Sequence, residues 1–71
     1  MKYIKDINAV VVNAYKKDVG NIIVFLDAVQ TIHRDDDGDA VIIYKNDEVF
    51  ESSEKYNDVL NFFLKYCTVL Q

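Results

Sequence analysis

The sequence predicts an α+β fold, in which a small, mainly antiparallel sheet of three to five strands is followed by one C-terminal amphipathic helix packed on a sheet face. Three observations support this prediction: a helical periodicity near the end of the chain, two uninterrupted apolar runs upstream of it, and turn signals that flank the second run. Because the chain has 71 residues, of which 51% are apolar, we expect one α+β domain over residues 1–71.

The helix is predicted over residues 53–70. Ser52 or Ser53 is expected to cap its first turn by accepting a backbone hydrogen bond, with Glu54 near the positive end of the helix dipole. The apolar residues recur at spacings of three and four and therefore share one side of a helix. They are Tyr56, Val59, Leu60, Phe63, Leu64 and Cys67.

The predicted helix is apolar over roughly 220° of its circumference, about twice what contact with one sheet face requires. The surplus forms one flank that contains Phe62, Tyr66 and Val69. This flank either packs on the N-terminal segment or is an exposed patch of the kind that marks a protein contact. We favour the exposed patch, because the apolar runs of the sheet also offer more surface than one helix covers.

The N-terminal residues 2–17 fit two interpretations. The spacing of Ile7 and Val11 fits a helical face, whereas the three consecutive valines at positions 10–12 are β-branched and favour a strand. We favour the strand. Gly20 is expected to take a positive φ in the turn that follows.

The first apolar run, at residues 22–26, is interpreted as a strand buried on both of its faces. Asp27 and Ala28 are interpreted as a bend or bulge. A more polar strand is then predicted over residues 29–34.

A hairpin is predicted around Asp37 and Gly38, which form the preferred pair for a two-residue type I′ turn. This turn type places Ile32 opposite Ile43. The strand that leaves the turn covers residues 40–45 and contains the second apolar run.

A second tight turn is predicted at Asn46 and Asp47. A short edge strand over residues 48–51 then pairs back, with Val49 and Phe50 on opposite faces because side chains alternate along a strand.

Twelve acidic against eight basic side chains give a net charge of −4, which disfavours direct binding of nucleic-acid phosphates. A single cysteine fits a reducing compartment, so we expect a cytoplasmic location. We expect no signal peptide and no membrane span, since no run approaches about 18 apolar residues. A chain this short usually gains stability from disulfides, a metal or a partner subunit. One cysteine and one histidine leave oligomerisation, so we expect a homodimer, no cofactor and no metal.

The acidic run at residues 35–39 has three interpretations. A calcium loop of the EF-hand type fails, because Gly38 at its sixth position puts His33 first and Tyr44 twelfth, where carboxylates are required. A solvated hairpin tip is the simplest interpretation. The third is an acidic surface that mimics nucleic-acid phosphates and occupies the basic groove of another protein. Its residues would be Asp35, Asp36, Asp37, Asp39, Asp47 and Glu48, with Glu51 and Glu54 close by.

No catalytic residue is predicted. His33 near Asp35 is the one pair that resembles a base held by a carboxylate, but no nucleophile stands near it in the sequence. Cys67 falls on the helix face that meets the core, where a thiol is inert. We expect protein contacts instead, at residues that combine apolar area with few rotatable bonds. The candidates are Tyr15, Tyr44, Phe62, Tyr66 and Val69.

Four features follow one another over residues 22–64. They are an apolar strand, the stretch Asp27-Ala28-Val29-Gln30-Thr31-Ile32, the hairpin from Val41-Ile42-Ile43-Tyr44 to Val49-Phe50, and Glu51-Ser52-Ser53 opening a helix with Val59-Leu60. Together they resemble the FlbD family of small flagellar proteins and similar short phage and bacterial proteins. Asn46-Asp47 stands where that family usually shows Asn-Gly, the helix entry is longer, and the N-terminal segment is not matched. The resemblance implies a sheet followed by a helix and a non-enzymatic accessory or regulatory role.

The sequence therefore predicts a small non-enzymatic regulatory protein that self-associates or docks on a partner protein through apolar and tyrosine side chains. The alternative is an inhibitor encoded by a phage or mobile element, which acts on a host defence protein through the acidic, nucleic-acid-mimicking surface.

Overall fold

The protein is described by a computed structural model over residues 1–16 and 18–67. Within these residues, six strands form two antiparallel sheets and a helix follows them, which confirms the α+β class. The elements in chain order are β1 (Lys2–Ile4), β2 (Ala9–Asn13), β3 (Asn21–Phe25), β4 (Val29–Arg34), β5 (Asp39–Tyr44), β6 (Val49–Lys55) and α1 (Tyr56–Tyr66). The first sheet has the order β1-β2-β3 and the second the order β4-β5-β6.

The N-terminal segment forms strands, as favoured from its valines. A 3-10 turn at Lys5–Ile7 joins β1 to β2, and Asn8 leaves it with a left-handed φ of 50°. The hydroxyl of Tyr3 donates a hydrogen bond of 2.7 Å to the side-chain oxygen of Asn8 and so holds the turn closed. The only helical geometry in the described part of residues 2–17 is therefore this short 3-10 turn. The predicted positive φ of Gly20 is confirmed at 83°.

The core lies between the two sheets and α1. Alternate residues of β2, β3 and β5 point into it, and two residues of α1 close it, which confirms the predicted helix face. These residues are Val10, Val12, Val24, Ala40, Ile42, Tyr44, Val59 and Phe63. Leu64, although predicted on the same helix face, is 49% exposed.

The two sheets are joined where the end of β2 meets β6. Ala14 forms an antiparallel bridge with Ser52, and the N–H of Tyr15 donates to the carbonyl of Glu51 at 2.9 Å. The buried hydroxyl of Ser52 donates to the carbonyl of Asn13 at 2.7 Å. The bridge and the two hydrogen bonds beside it therefore hold the first sheet against the second.

The expected serine cap of the helix is wrong. Because β6 continues through both serines to Lys55, α1 begins only at Tyr56. No described side chain caps it, and Asp58 rather than Glu54 lies in the first turn. The Ser52 hydroxyl instead accepts a hydrogen bond of 3.0 Å from the N–H of Glu54, within the strand. The predicted extension of the helix to residue 70 lies outside the described residues.

The predicted burial of the first apolar run on both faces is also wrong. Ile22 and Val24 point toward the core, whereas Ile23 is 50% exposed and Phe25 is 47% exposed. The reason is the layer arrangement: α1 packs on the second sheet, and no described element covers the outer face of the first. The bend predicted at Asp27 is confirmed as a 3-10 turn, Leu26–Ala28.

The first hairpin differs from the predicted register by one residue. Ile32 lies opposite Ile42, not Ile43, because the N–H of Asp35 donates to the carbonyl of Asp39 and three residues, 36–38, form the loop between them. Gly38 takes a φ of 85° at the end of this loop, which is the three-residue hairpin geometry with a glycine in the left-handed region. The carboxylate of Asp35 stabilises it by accepting hydrogen bonds from the N–H groups of Asp37 and Asp39.

The second turn is confirmed. Asp47 takes a φ of 72°, and its N–H donates to the carbonyl of Tyr44 at 3.0 Å. Val49 is 56% exposed, whereas Phe50 packs against the core, so the two side chains lie on opposite faces as predicted. The strand β6 is longer than predicted, because Ser52 bridges to Ala14 and Lys55 pairs with Asp39 of β5.

Ser52→Ala is expected to lower the free energy of unfolding by about 1 to 3 kcal/mol, because the C=O of Asn13 and the N–H of Glu54 lose the buried hydroxyl that they bind. Ser53→Ala, at the exposed neighbouring position, is expected to stay within about 0.5 kcal/mol of the original protein. Urea denaturation followed by circular dichroism measures both. Equal stability of the two variants would contradict the assigned role of Ser52.

Candidate functional site

The surplus flank of the helix is not an open surface. Tyr66 stacks on Tyr3 of β1, with ring centroids 4.1 Å apart and an interplanar angle of 12°. Phe62 is half-buried and packs against the core and the ring of Tyr66. The flank therefore packs on the N-terminal segment, the first of the two predicted alternatives. Val69, the third residue of the flank, lies outside the described residues.

Tyr44 is a core residue and not a surface contact residue. Its side chain is buried, and its ring meets the ring of Phe50 edge to face at 4.7 Å. Its hydroxyl reaches the first sheet, where it accepts a hydrogen bond of 2.9 Å from the N–H of Phe25. Tyr15 is 49% exposed, so of these two tyrosines it alone remains available for a contact.

The predicted acidic surface is divided by the fold. Asp35 to Asp39 form the turn that precedes β5, whereas Asp47 and Glu48 form the turn that follows it. Since β5 has six residues, the two groups lie at opposite ends of a strand about 20 Å long. These carboxylates therefore do not form one continuous surface.

Within the first turn, hydrogen bonds account for the positions of the carboxylates. Asp39 is buried and forms an ion pair with Lys55, whose Nζ lies 3.0 Å from the carboxylate. Carboxylate oxygens of Asp35, Asp37 and Asp39 approach within 4.8 Å of one another. Because Asp35 accepts two backbone N–H groups and Asp39 accepts from Lys55, the arrangement is explained without a cation.

The hydrogen bond from Lys55 to Asp39 raises the pKa of the Lys55 ammonium, and the negative charge of Asp39 raises it further. A raised pKa means that the folded protein holds this proton more tightly than the unfolded chain does. The ion pair therefore contributes fully below the ordinary pKa of lysine and is lost as the pH rises through the raised pKa. The acidic turn remains closed across the neutral range.

The residues with catalytic potential are not assembled. His33 is exposed, and its Nε2 lies 2.9 Å from the hydroxyl of Thr31 rather than beside a carboxylate. Cys67 is half-buried at the rim of an apolar cavity of about 540 Å³ between α1 and β4. Among the described residues, no nucleophile and base lie within hydrogen-bonding distance of each other in that cavity.

The candidate site is the outer face of the first sheet. The strand register places Val11 beside Ile23 and Ala9 beside Phe25, with all four side chains on the face that points away from the core. Ile4 of β1 lies opposite Ala9 and extends the apolar strip to the third strand. The open part of this strip is Ile23 and Phe25, each about half exposed, whereas Ala9 is buried and Val11 is half-buried.

Sequence reasoning noted that the apolar runs of the sheet exceed what one helix covers, but it assigned the contact to the helix flank and interpreted residues 22–26 as buried on both faces. An apolar run without alternation fits a strand buried on both faces and also a strand with one apolar face in water. The two cases differ in the number of elements available to cover the sheet, and the described residues supply one helix for two sheets.

No helix in the described part of the chain is long and apolar enough to cross a membrane. The sequence matches no protein-family model, no curated protein and no solved structure.

Asp35→Ala is expected to lower the free energy of unfolding by about 1 to 2 kcal/mol, because two backbone N–H groups of the turn lose their acceptor. Asp36→Ala, at the exposed next position, is expected to change it by less than about 0.5 kcal/mol. Thermal denaturation measures both variants. If both changes had the same small effect, the acidic run would not act as a structural turn.

The stacked pair of Tyr3 and Tyr66 is expected to couple by about 0.5 to 1.5 kcal/mol in a double-mutant cycle. The cycle uses Tyr3→Leu, Tyr66→Leu and the double variant, with unfolding free energies from chemical denaturation. Tyr15→Leu combined with Tyr66→Leu serves as the control and is expected to be additive. Additivity of the Tyr3 cycle would contradict the packing of this helix flank on β1.

Proposed function

We propose that the protein is a small, non-enzymatic protein-binding module that acts in a cytoplasm and docks on a partner protein through the outer face of its first sheet. The observation that carries this proposal is the exposure of Ile23 and Phe25, side chains of one strand that stand on an uncovered sheet face. Exposed apolar patches of this kind mark protein contacts in small proteins.

The surroundings of the face favour a protein partner. Its apolar centre is bordered by Lys2 of β1 and by two asparagines, Asn13 and Asn21, at one end. An apolar centre with a polar border is the usual anatomy of a protein interface. A single cysteine supports the cytoplasmic location, because disulfides are rare in reducing compartments.

The apolar face is a better basis for function than the acidic residues. Asp35 and Asp39 are engaged within their own turn, and the remaining predicted acidic residues lie at both ends of β5. Phosphate mimicry requires carboxylates along one surface, whereas docking requires only the strip that β1, β2 and β3 already present. The regulatory role implied by the resemblance to the FlbD family agrees with a binding module.

The docking proposal predicts that Ile23→Ser combined with Phe25→Ser weakens binding of the native partner about 30-fold. Burying the remaining half of each side chain contributes about 1 kcal/mol, and 2 kcal/mol corresponds to that factor. The immobilised protein is incubated with lysate of its natural cells, the bound protein is identified, and its affinity for each variant is measured by calorimetry.

Leu64→Ser provides the matched control, because Leu64 is an equally exposed apolar residue on α1. This variant is expected to bind the partner like the original protein. Docking through the first sheet is excluded if the Ile23 and Phe25 variant binds as tightly as the control.

A further inference from the structure

The strand β3 has an open edge. In antiparallel pairing, alternate residues direct their N–H and C=O groups toward opposite sides of the strand. The N–H of Ala14 donates to the carbonyl of Gly20, and the N–H of Leu26 donates to the carbonyl of Asn8. Even-numbered residues of β3 therefore face β2, and the odd-numbered ones direct their backbone groups away from it.

One end of this edge is already closed. The hydroxyl of Tyr44 accepts the outward N–H of Phe25, as described above. The N–H and C=O groups of Asn21 and Ile23 have no hydrogen-bonding partner among the described residues. The open part of the edge therefore consists of two N–H donors and two C=O acceptors, on Asn21 and Ile23. Between them lies Ile22, whose backbone groups face β2.

The edge of β3 also lacks the charged residues that normally prevent strands from pairing between molecules. Its five residues, Asn21–Phe25, carry no charge. The other outer strands differ, because β1 contains Lys2 and β4 contains Arg34. An uncharged open edge is the feature that strand addition uses.

We propose that β3 pairs in antiparallel fashion with β3 of a second copy of this chain, across a two-fold axis at Ile22. In this register Asn21 lies opposite Ile23 of the second copy, and each pair exchanges two backbone hydrogen bonds. The four bonds use all the open groups of Asn21 and Ile23 in both copies. The pairing stops before Phe25, whose N–H is already bound to Tyr44.

An open cavity beside the edge of β3 also favours a second copy of this chain as the binding partner. It has a volume of about 530 Å³ and is lined by Tyr15, Val19, Ile22, Val49 and Phe50, among others. Three of these, Tyr15, Val19 and Val49, are between 49% and 61% exposed. A two-fold axis perpendicular to the sheet keeps the core-facing sides of both β3 strands on the same face of the joined sheet. The Ile22 side chain of the second copy therefore enters this cavity and covers apolar surface that is open in the single chain.

The strand pairing extends the proposed docking function, because it enlarges the docking face. Its biological role rests on that proposed function. A six-stranded sheet across the two-fold axis places the outer faces of both copies side by side. The Ile23 and Phe25 side chains of both copies then form one apolar surface, twice as wide as that of one chain. A partner protein would meet this continuous surface.

Analytical ultracentrifugation of the full chain tests the pairing. The original protein is expected to sediment at twice its mass of 8.2 kDa. Ile23→Pro removes an N–H that faces away from β2, so it is tolerated in the strand but is expected to raise the dimer dissociation constant at least tenfold. Ile23→Ala keeps the N–H and is expected to remain dimeric. A monomeric original protein, or equal effects of the two substitutions, would overturn the proposal.

Disulfide trapping tests the strand register. It does not depend on the Ile23→Pro variant and can be interpreted even if that variant does not fold. Asn21→Cys and Ile23→Cys are made separately in a Cys67→Ser background. Opposed residues have Cα atoms about 5.5 Å apart, within reach of a disulfide, whereas identical residues are separated by about 9 Å. Only the mixture of the two variants is expected to form a covalent dimer on mild oxidation. No dimer in the mixture, or a dimer from either variant alone, would overturn this register.

The two proposals fail in different ways. Phe25→Ser lies outside the pairing, so it is expected to lose the partner protein and keep the dimer mass. Ile23→Pro is expected to lose the dimer mass. A monomer that still binds its partner through Phe25 would reject the strand pairing and leave the docking face in place.

Discussion

The structure depends on the contact between the end of β2 and the middle of β6. These segments are about forty residues apart in the chain, and they meet through the bridge of Ala14 with Ser52 and the buried hydroxyl of Ser52. Each sheet alone is a three-stranded meander that would leave its core-side apolar residues in water. The contact sets the two apolar faces against each other, so that one core forms from both.

This way of closing the core determines which surfaces remain open. The helix has a wide apolar arc, but the second sheet and β1 use it: Val59 and Phe63 enter the core, and Tyr66 stacks on Tyr3. The first sheet receives no cover on its outer side from any described element. Apolar side chains therefore remain exposed on β3, whereas Phe62 and Tyr66 of the predicted helix flank pack inside the fold.

Charges have a local role in this fold. The carboxylate of Asp35 organises a tight turn, and Asp39 holds Lys55 at the start of the helix. A buried carboxylate needs a partner, and the neighbouring strand supplies it. The carboxylates at the two ends of β5 therefore belong to separate turns, and the strands β1, β2 and β3 contain no acidic residue.

The sequence by itself determined the α+β class, the strands at the valine-rich runs, the helix face of Val59 and Phe63, and the positions of both tight turns. These features follow from local periodicity and from the conformational preferences of glycine, asparagine and aspartate, which act over a few residues. Only the tertiary structure decided the one-residue shift at Ile32, the burial of Tyr44, the start of the helix at Tyr56 and the exposure of Ile23. The shift at Ile32 follows from the length of its hairpin loop, whereas the other three depend on which distant strand lies beside the residue. Residue spacing carries no information about a contact forty positions away.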